Sequence, residues 1–67
     1  MRYFLNKNAQ ENGDHEVHVE GCPYFPDEEN VISLGNFWSC RDAVHSASKH
    51  FSQVNGCYHC VRDCNTG

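Results

Sequence analysis

Basic residues are scarce in this 67-residue chain: Arg2, Lys7, Arg41, Lys49 and Arg62 stand against nine acidic residues, for a formal charge of −4 at pH 7. The five cations are scattered along the chain. Binding to a nucleic-acid backbone is driven by clustered cations that displace counterions, so this balance argues against nucleic acid as a partner. Long apolar runs are missing as well. No stretch approaches the ~20 apolar residues of a membrane helix, and Met1–Lys7 holds no apolar run of signal-peptide length. The expectation is therefore no membrane and, by default, a cytoplasmic location. Proline is confined to Pro23 and Pro26, and repeats and linker-like tracts are absent. The chain reads as a single small domain over residues 1–67.

Cysteine and histidine are abundant, with five of each. In a chain this short the count matters, because a core below ~70–80 residues rarely supplies more than roughly 3–5 kcal/mol and usually needs disulfides or a metal. One Trp, three Tyr and four Phe are too many for a disordered tail and enough for a modest core. Trp38, Phe37, Tyr24 and Phe25 are expected in that core, shielding a metal from water. An odd number of cysteines leaves one over in a disulfide framework. In a reducing compartment, cysteine pairs tend to hold metals instead.

The pattern of side chains predicts an α+β fold: a three-stranded antiparallel sheet, one main helix and a C-terminal Cys-x-x-Cys knuckle. Residues 2–6 alternate as a strand. Residues 9–14 carry turn chemistry around Asn12-Gly13. Residues 15–20 alternate again, with Val17 and Val19 on one side and Glu16, His18 and Glu20 on the other. Residues 23–30 form a loop or one loose helical turn, and residues 31–34 a third strand stopped by Gly35-Asn36. Ser39 then caps a helix with Asp42 three places on. Its apolar stripe is Cys40, Ala43, Val44, Ala47 and Phe51. Asn55-Gly56 reads as its C-terminal stop.

The chemistry concentrates at Gly56-Cys57-Tyr58-His59-Cys60. A Cys-x-x-Cys turn lets two thiolates reach one ion, and zinc takes four ligands in a tetrahedron of sulfur and nitrogen. The second half of such a site is sought in His18 and Cys22, four residues apart where a strand gives way to a loop. Cys64 is an alternative fourth ligand. Other readings stand beside these. Cys57 and Cys60 could be a redox pair or unconnected buried thiols, His18 an exposed strand residue, and Cys22 a small buried side chain. Cys40 lies on the helix stripe and is expected to pack as a buried thiol. His59 lies inside the knuckle, pointing outward, while His15, His45 and His50 are read as surface residues.

These residues resemble a known family. His18-x-x-x-Cys22-Pro23, Asn30-Val31-Ile32, Ser39 with Ala43, and Gly56-Cys57-x-x-Cys60 are similar, in order, to the zinc-binding module first known from bacterial Ada DNA-repair proteins. The resemblance covers roughly residues 16–60. It implies an α+β zinc fold with ligands at His18, Cys22, Cys57 and Cys60. In Ada a zinc-bound cysteine also accepts a methyl group from a DNA phosphotriester. Here the first ligand position is His18 rather than cysteine, and the chain is acidic. The reading is therefore a structural-zinc domain, not an enzyme, acting as a binding or accessory module for an unidentified protein partner. Two alternatives remain: a thiol-reactive protein (methyl acceptor or redox), and a disulfide-stapled domain without metal.

Overall fold

A computed structural model describes residues 1–66. Its elements in chain order are strands β1 (Arg2–Asn6), β2 (His15–Val19) and β3 (Val31–Asn36), helix α1 (Cys40–Ala47) and strand β4 (Val54–Gly56). Single 3-10 turns lie at Glu28–Asn30 and Arg62–Cys64. The strands form one sheet in the order β3-β1-β2-β4. β1 pairs antiparallel with both β2 and β3, whereas β4 runs parallel to β2. The expected three-stranded antiparallel sheet is thus corrected to a four-stranded mixed sheet, still α+β.

The correction comes from one short segment. Val54-Asn55-Gly56 has no apolar alternation, and its Asn-Gly pair imitates a helix stop. Backbone groups make its pairing with β2: the His15 N–H donates to the Gln53 carbonyl at 3.0 Å, and the Cys57 N–H to the Val17 carbonyl at 2.8 Å. Parallel pairing needs a crossover connection, and α1 lies within the long segment that returns the chain from β3 to β4. The helix ends at Ala47, before the expected stripe is complete. Its N-terminus is as expected, with Ser39 Oγ accepting from the Asp42 N–H at 3.3 Å, a cap worth about 1 kcal/mol.

β3 extends through Gly35-Asn36 rather than stopping before them, because its register with β1 slips by one residue there: Phe4 faces Ser33 and Tyr3 faces Gly35. The extra residue of such a bulge absorbs the change of phase. Tyr3, Leu5, Val17 and Val19 point from the sheet into a core completed by Ala43, Ala47, Cys22, Cys57 and Val61. Leu5 and Val17 are fully buried, each contributing roughly 1.5–3 kcal/mol by leaving water.

The aromatic residues divide. Phe25 and Phe37 pack against the core as expected. Trp38 and Tyr24 do not: they are exposed, with Trp38 at 103% of its reference surface.

Candidate metal centre

The cluster is built at the place where β4 runs out. Alternate residues of a strand direct their backbone N–H and C=O groups to the same edge, so Val17 and Val19 both face β4. Val17 has a strand partner there, since its carbonyl accepts from Cys57. At Val19 the neighbouring strand has already ended and the knuckle has begun. The Val19 N–H donates to Cys60 Sγ at 3.4 Å, and the Val19 carbonyl accepts from the Cys22 N–H at 3.2 Å. One residue of β2 thus ties down both halves of the cluster.

The half at Cys22 depends on two local features. Gly21 has φ +90°, a backbone region that residues with a Cβ rarely adopt. It occupies the third place of the turn closed by the Cys22-to-Val19 bond, where type II turns favour glycine. Beyond Cys22, Pro23 has no N–H, so the Tyr24 N–H is the donor that reaches Cys22 Sγ, at 3.4 Å. The half at the knuckle depends on Gly56. A Cβ there would lie 2.7 Å from the Val61 carbonyl oxygen, so only glycine lets the turn fold back this closely. The Val61 N–H returns to the Cys57 carbonyl at 2.8 Å.

His18, Cys22, Cys57 and Cys60 meet with their four ligand atoms within 4.8 Å of one another. Cys22 Sγ lies 4.0 Å from Cys57 Sγ, and Cys60 Sγ lies 3.8 Å from His18 Nδ1. A regular tetrahedron with zinc–sulfur bonds of ~2.3 Å and a zinc–nitrogen bond of ~2.0–2.1 Å has edges of ~3.8 and ~3.6 Å. The observed separations are within a few tenths of an ångström of those edges. The donor set of three sulfurs and one imidazole nitrogen fits a metal ion.

The surroundings of the ligands suit the same use. His18 is 2% exposed and Cys57 1%. Burial lowers the His18 pKa, holding the ring neutral and its lone pair free. Burial, followed by the neighbouring thiols of Cys22 and Cys57, raises the Cys60 pKa strongly. A cation beside Cys60 would favour its thiolate against that rise. The Val19 N–H donor to Cys60 favours the thiolate form. His18 faces Phe25, with ring centroids 6.0 Å apart, and Phe25 in turn meets Phe4 edge-on at 5.2 Å, which keeps water from this side.

The remaining candidates lie elsewhere. Cys64, the alternative fourth ligand, is bonded to Cys40 in a disulfide with Cα atoms 6.1 Å apart. That also corrects the reading of Cys40 as a packed free thiol. The pairing follows from position: Cys40 opens α1, and Cys64 closes the last 3-10 turn against it. Parity was the missed signal, for once a histidine takes one place in a four-ligand set, two of five cysteines remain. Cys22, Cys57 and Cys60 are free thiols, so the pair Cys57 and Cys60 is not closed as a redox disulfide. His59 is exposed and stacks on Tyr24 at 4.0 Å. His45 and His50 are exposed. His15 is only half-exposed, stacked on Phe51 at 3.6 Å with Nδ1 3.1 Å from the Asn6 carbonyl.

No helix among the described residues is long and apolar enough to cross a membrane. No family model matches the chain, and no solved structure matches it significantly. The chain is 33% identical over 58 residues, 82% of its length, to the Arabidopsis thaliana protein called STRICTOSIDINE SYNTHASE-LIKE 2. It spans only 15% of that protein.

Proposed function

We propose that the chain is a small structural-zinc domain in which His18, Cys22, Cys57 and Cys60 hold one ion. The supporting observation is the convergence of four soft ligand atoms from two distant segments to within 4.8 Å of one another, three of the four residues being buried. Zinc is preferred because three thiolates and one imidazole in a tetrahedron are the donors and geometry it selects. Four protein ligands leave no open coordination position, so the ion's role is to organise the fold rather than to activate water. The Ada-like resemblance points to the same ligand positions.

On this reading the domain is not an enzyme but an accessory or binding module with a protein partner. The acidic charge and scattered cations tell against nucleic acid. The synthase named in the Arabidopsis protein supplies no activity for this chain, which corresponds to a small fraction of it. The Cys40–Cys64 disulfide favours part of a second reading, a stapled domain. Staple and metal cluster use different cysteines and are compatible. A reducing cytoplasm, the location proposed from the sequence, would open the staple, whereas an oxidising compartment would keep it closed.

The test is elemental analysis of protein purified without chelators, followed by a zinc titration against a chromophoric chelator. One equivalent of zinc per chain, lost in a His18→Ala, Cys57→Ala or Cys60→Ala variant, is the expected result. Native, folded protein that takes up no zinc would overturn the proposal.

A further inference from the structure

Glu16 and His18 are two residues apart on β2 and therefore share a face of the sheet. The two ring nitrogens of His18 have different surroundings. Nδ1 faces the thiols, 3.8 Å from Cys60 Sγ. Nε2 is buried and has no hydrogen-bond partner among the described residues. A buried polar atom of this kind calls for an explanation. The Glu16 carboxylate lies beside it, with Oε1 3.7 Å from Nε2 and only 15% of the side chain exposed. A half-buried carboxylate aimed at a buried, orphaned ring nitrogen is the arrangement by which proteins orient a ligating imidazole from behind.

We propose that Glu16 is the positioning residue of the metal centre. Its carboxylate accepts a hydrogen bond from His18 Nε2–H, which fixes the tautomer with the lone pair on Nδ1 and directs His18 to coordinate through Nδ1. The inference rests on the proposed metal site and deepens it. Glu16 acts through His18 in this arrangement. Closing the gap from 3.7 Å to hydrogen-bond length needs a side-chain adjustment of about 1 Å. Drawing the imidazole toward a bound ion fixes the ring plane in which Nε2–H points and gives the carboxylate a fixed target.

The experiment has two arms. In zinc-loaded, 15N-histidine-labelled wild-type protein, long-range 1H–15N correlation spectra read the state of each His18 nitrogen. The expected pattern is a protonated Nε2 and a metal-bound Nδ1. In chelator competition, Glu16→Ala is expected to weaken zinc binding about 10–100-fold. Glu16→Gln, which keeps an acceptor oxygen but loses its charge, should fall between Glu16→Ala and wild type. Glu20→Ala, removing a carboxylate that instead lies 3.7 Å from Arg2, should bind as wild type. Zinc bound through Nε2, or Glu16→Ala binding zinc as tightly as wild type, overturns the inference and leaves the metal reading standing. Wild-type protein that binds no zinc removes both. The spectra need no variant, so a Glu16 variant that fails to fold does not blunt the test.

Discussion

The Val19 N–H donates to Cys60 Sγ at 3.4 Å across 41 residues of chain. This bond continues the edge of β2 past the end of β4, with a sulfur standing where a carbonyl would be. It couples sheet and cluster in both directions. A bound cation draws Cys60 toward the thiolate, a stronger acceptor than a thiol. Metal loading is therefore expected to slow hydrogen exchange at the Val19 amide more than at Leu5, which lies in the opposite half of the sheet. Two-dimensional NMR of metal-free and metal-loaded protein in deuterium oxide measures this. Equal protection of Val19 in both states would show that the bond does not respond to the ion.

Much of the cluster could be inferred from side-chain order alone, because alternation in β2 is a local property. With Val17 and Val19 turned to the core, His18 must emerge on the other face. The Cys-x-x-Cys spacing marks a chelating turn whatever surrounds it. Ser39 likewise announces the start of α1 through chemistry confined to one turn. What escaped inference was non-local or independent of side chains. β4 is three residues held by main-chain bonds, and Asn55 and Gly56 belong to it by position rather than propensity. The Cys40–Cys64 bond is made between a helix start and a terminal turn, whose meeting depends on the completed fold. Trp38 follows a strand rich in apolar residues, and nothing in its neighbours shows that it turns outward.

That exposure has a direct consequence for stability. Trp38 buries none of its reference surface, so removing it opens no cavity. Trp38→Ala is expected to change stability by no more than about 0.5 kcal/mol, as for other surface substitutions. Leu5→Ala, at a fully buried position, should cost about 2–5 kcal/mol. Urea titrations of the two variants in metal-loaded form give the comparison. A large loss from Trp38→Ala would contradict its placement.

Two glycines beside the cluster should fail for different reasons. At Gly21 no atom of the described residues lies within 4 Å of an added Cβ, but φ is +90°. Gly21→Ala therefore strains only the backbone, by about 1–2 kcal/mol, and Gly21→Asn should recover part of that. Gly56 carries no such φ constraint. Its added Cβ would lie 2.7 Å from the Val61 oxygen and 3.0 Å from the Cys64 carbonyl carbon. Both neighbours are backbone, so Gly56→Ala must push the knuckle away from β4 at a cost of about 1–3 kcal/mol, and asparagine should be no better. Denaturation of the four variants separates the mechanisms, with the Gly56 pair also losing zinc affinity through displacement of Cys57 and Cys60.

The staple and the ion should make separable contributions. Cys40 and Cys64 are 24 residues apart, a loop whose closure removes about 3.5 kcal/mol of unfolded-state entropy in the chain-entropy account. The double variant Cys40→Ser with Cys64→Ser is expected to lose stability of that order while still binding one zinc per chain, since neither residue belongs to the four-ligand set. Denaturant midpoints with elemental analysis measure both quantities. Loss of zinc from the double variant would place Cys64 back among the candidate ligands.

The response to alkaline pH should differ between the metal-free and metal-loaded protein. Burial and the neighbouring thiols hold the Cys60 pKa above its ordinary value of 9.0. In the folded, metal-free protein the proton is held more tightly than in the unfolded chain. This contribution to stability is complete below pH 9.0 and disappears as pH rises through the elevated value. The metal-free protein should therefore lose thermal stability in alkaline solution, to the extent that it folds without the ion. The metal-loaded protein has already given up that proton, and its stability should hold over the same range. Loading near neutral pH must then release a proton from Cys60, with apparent affinity rising about tenfold per pH unit for each proton displaced. Calorimetric zinc titrations in buffers of different ionisation enthalpy count those protons. A count of zero at neutral pH would mean that Cys60 is already ionised before the ion arrives, contrary to its raised pKa.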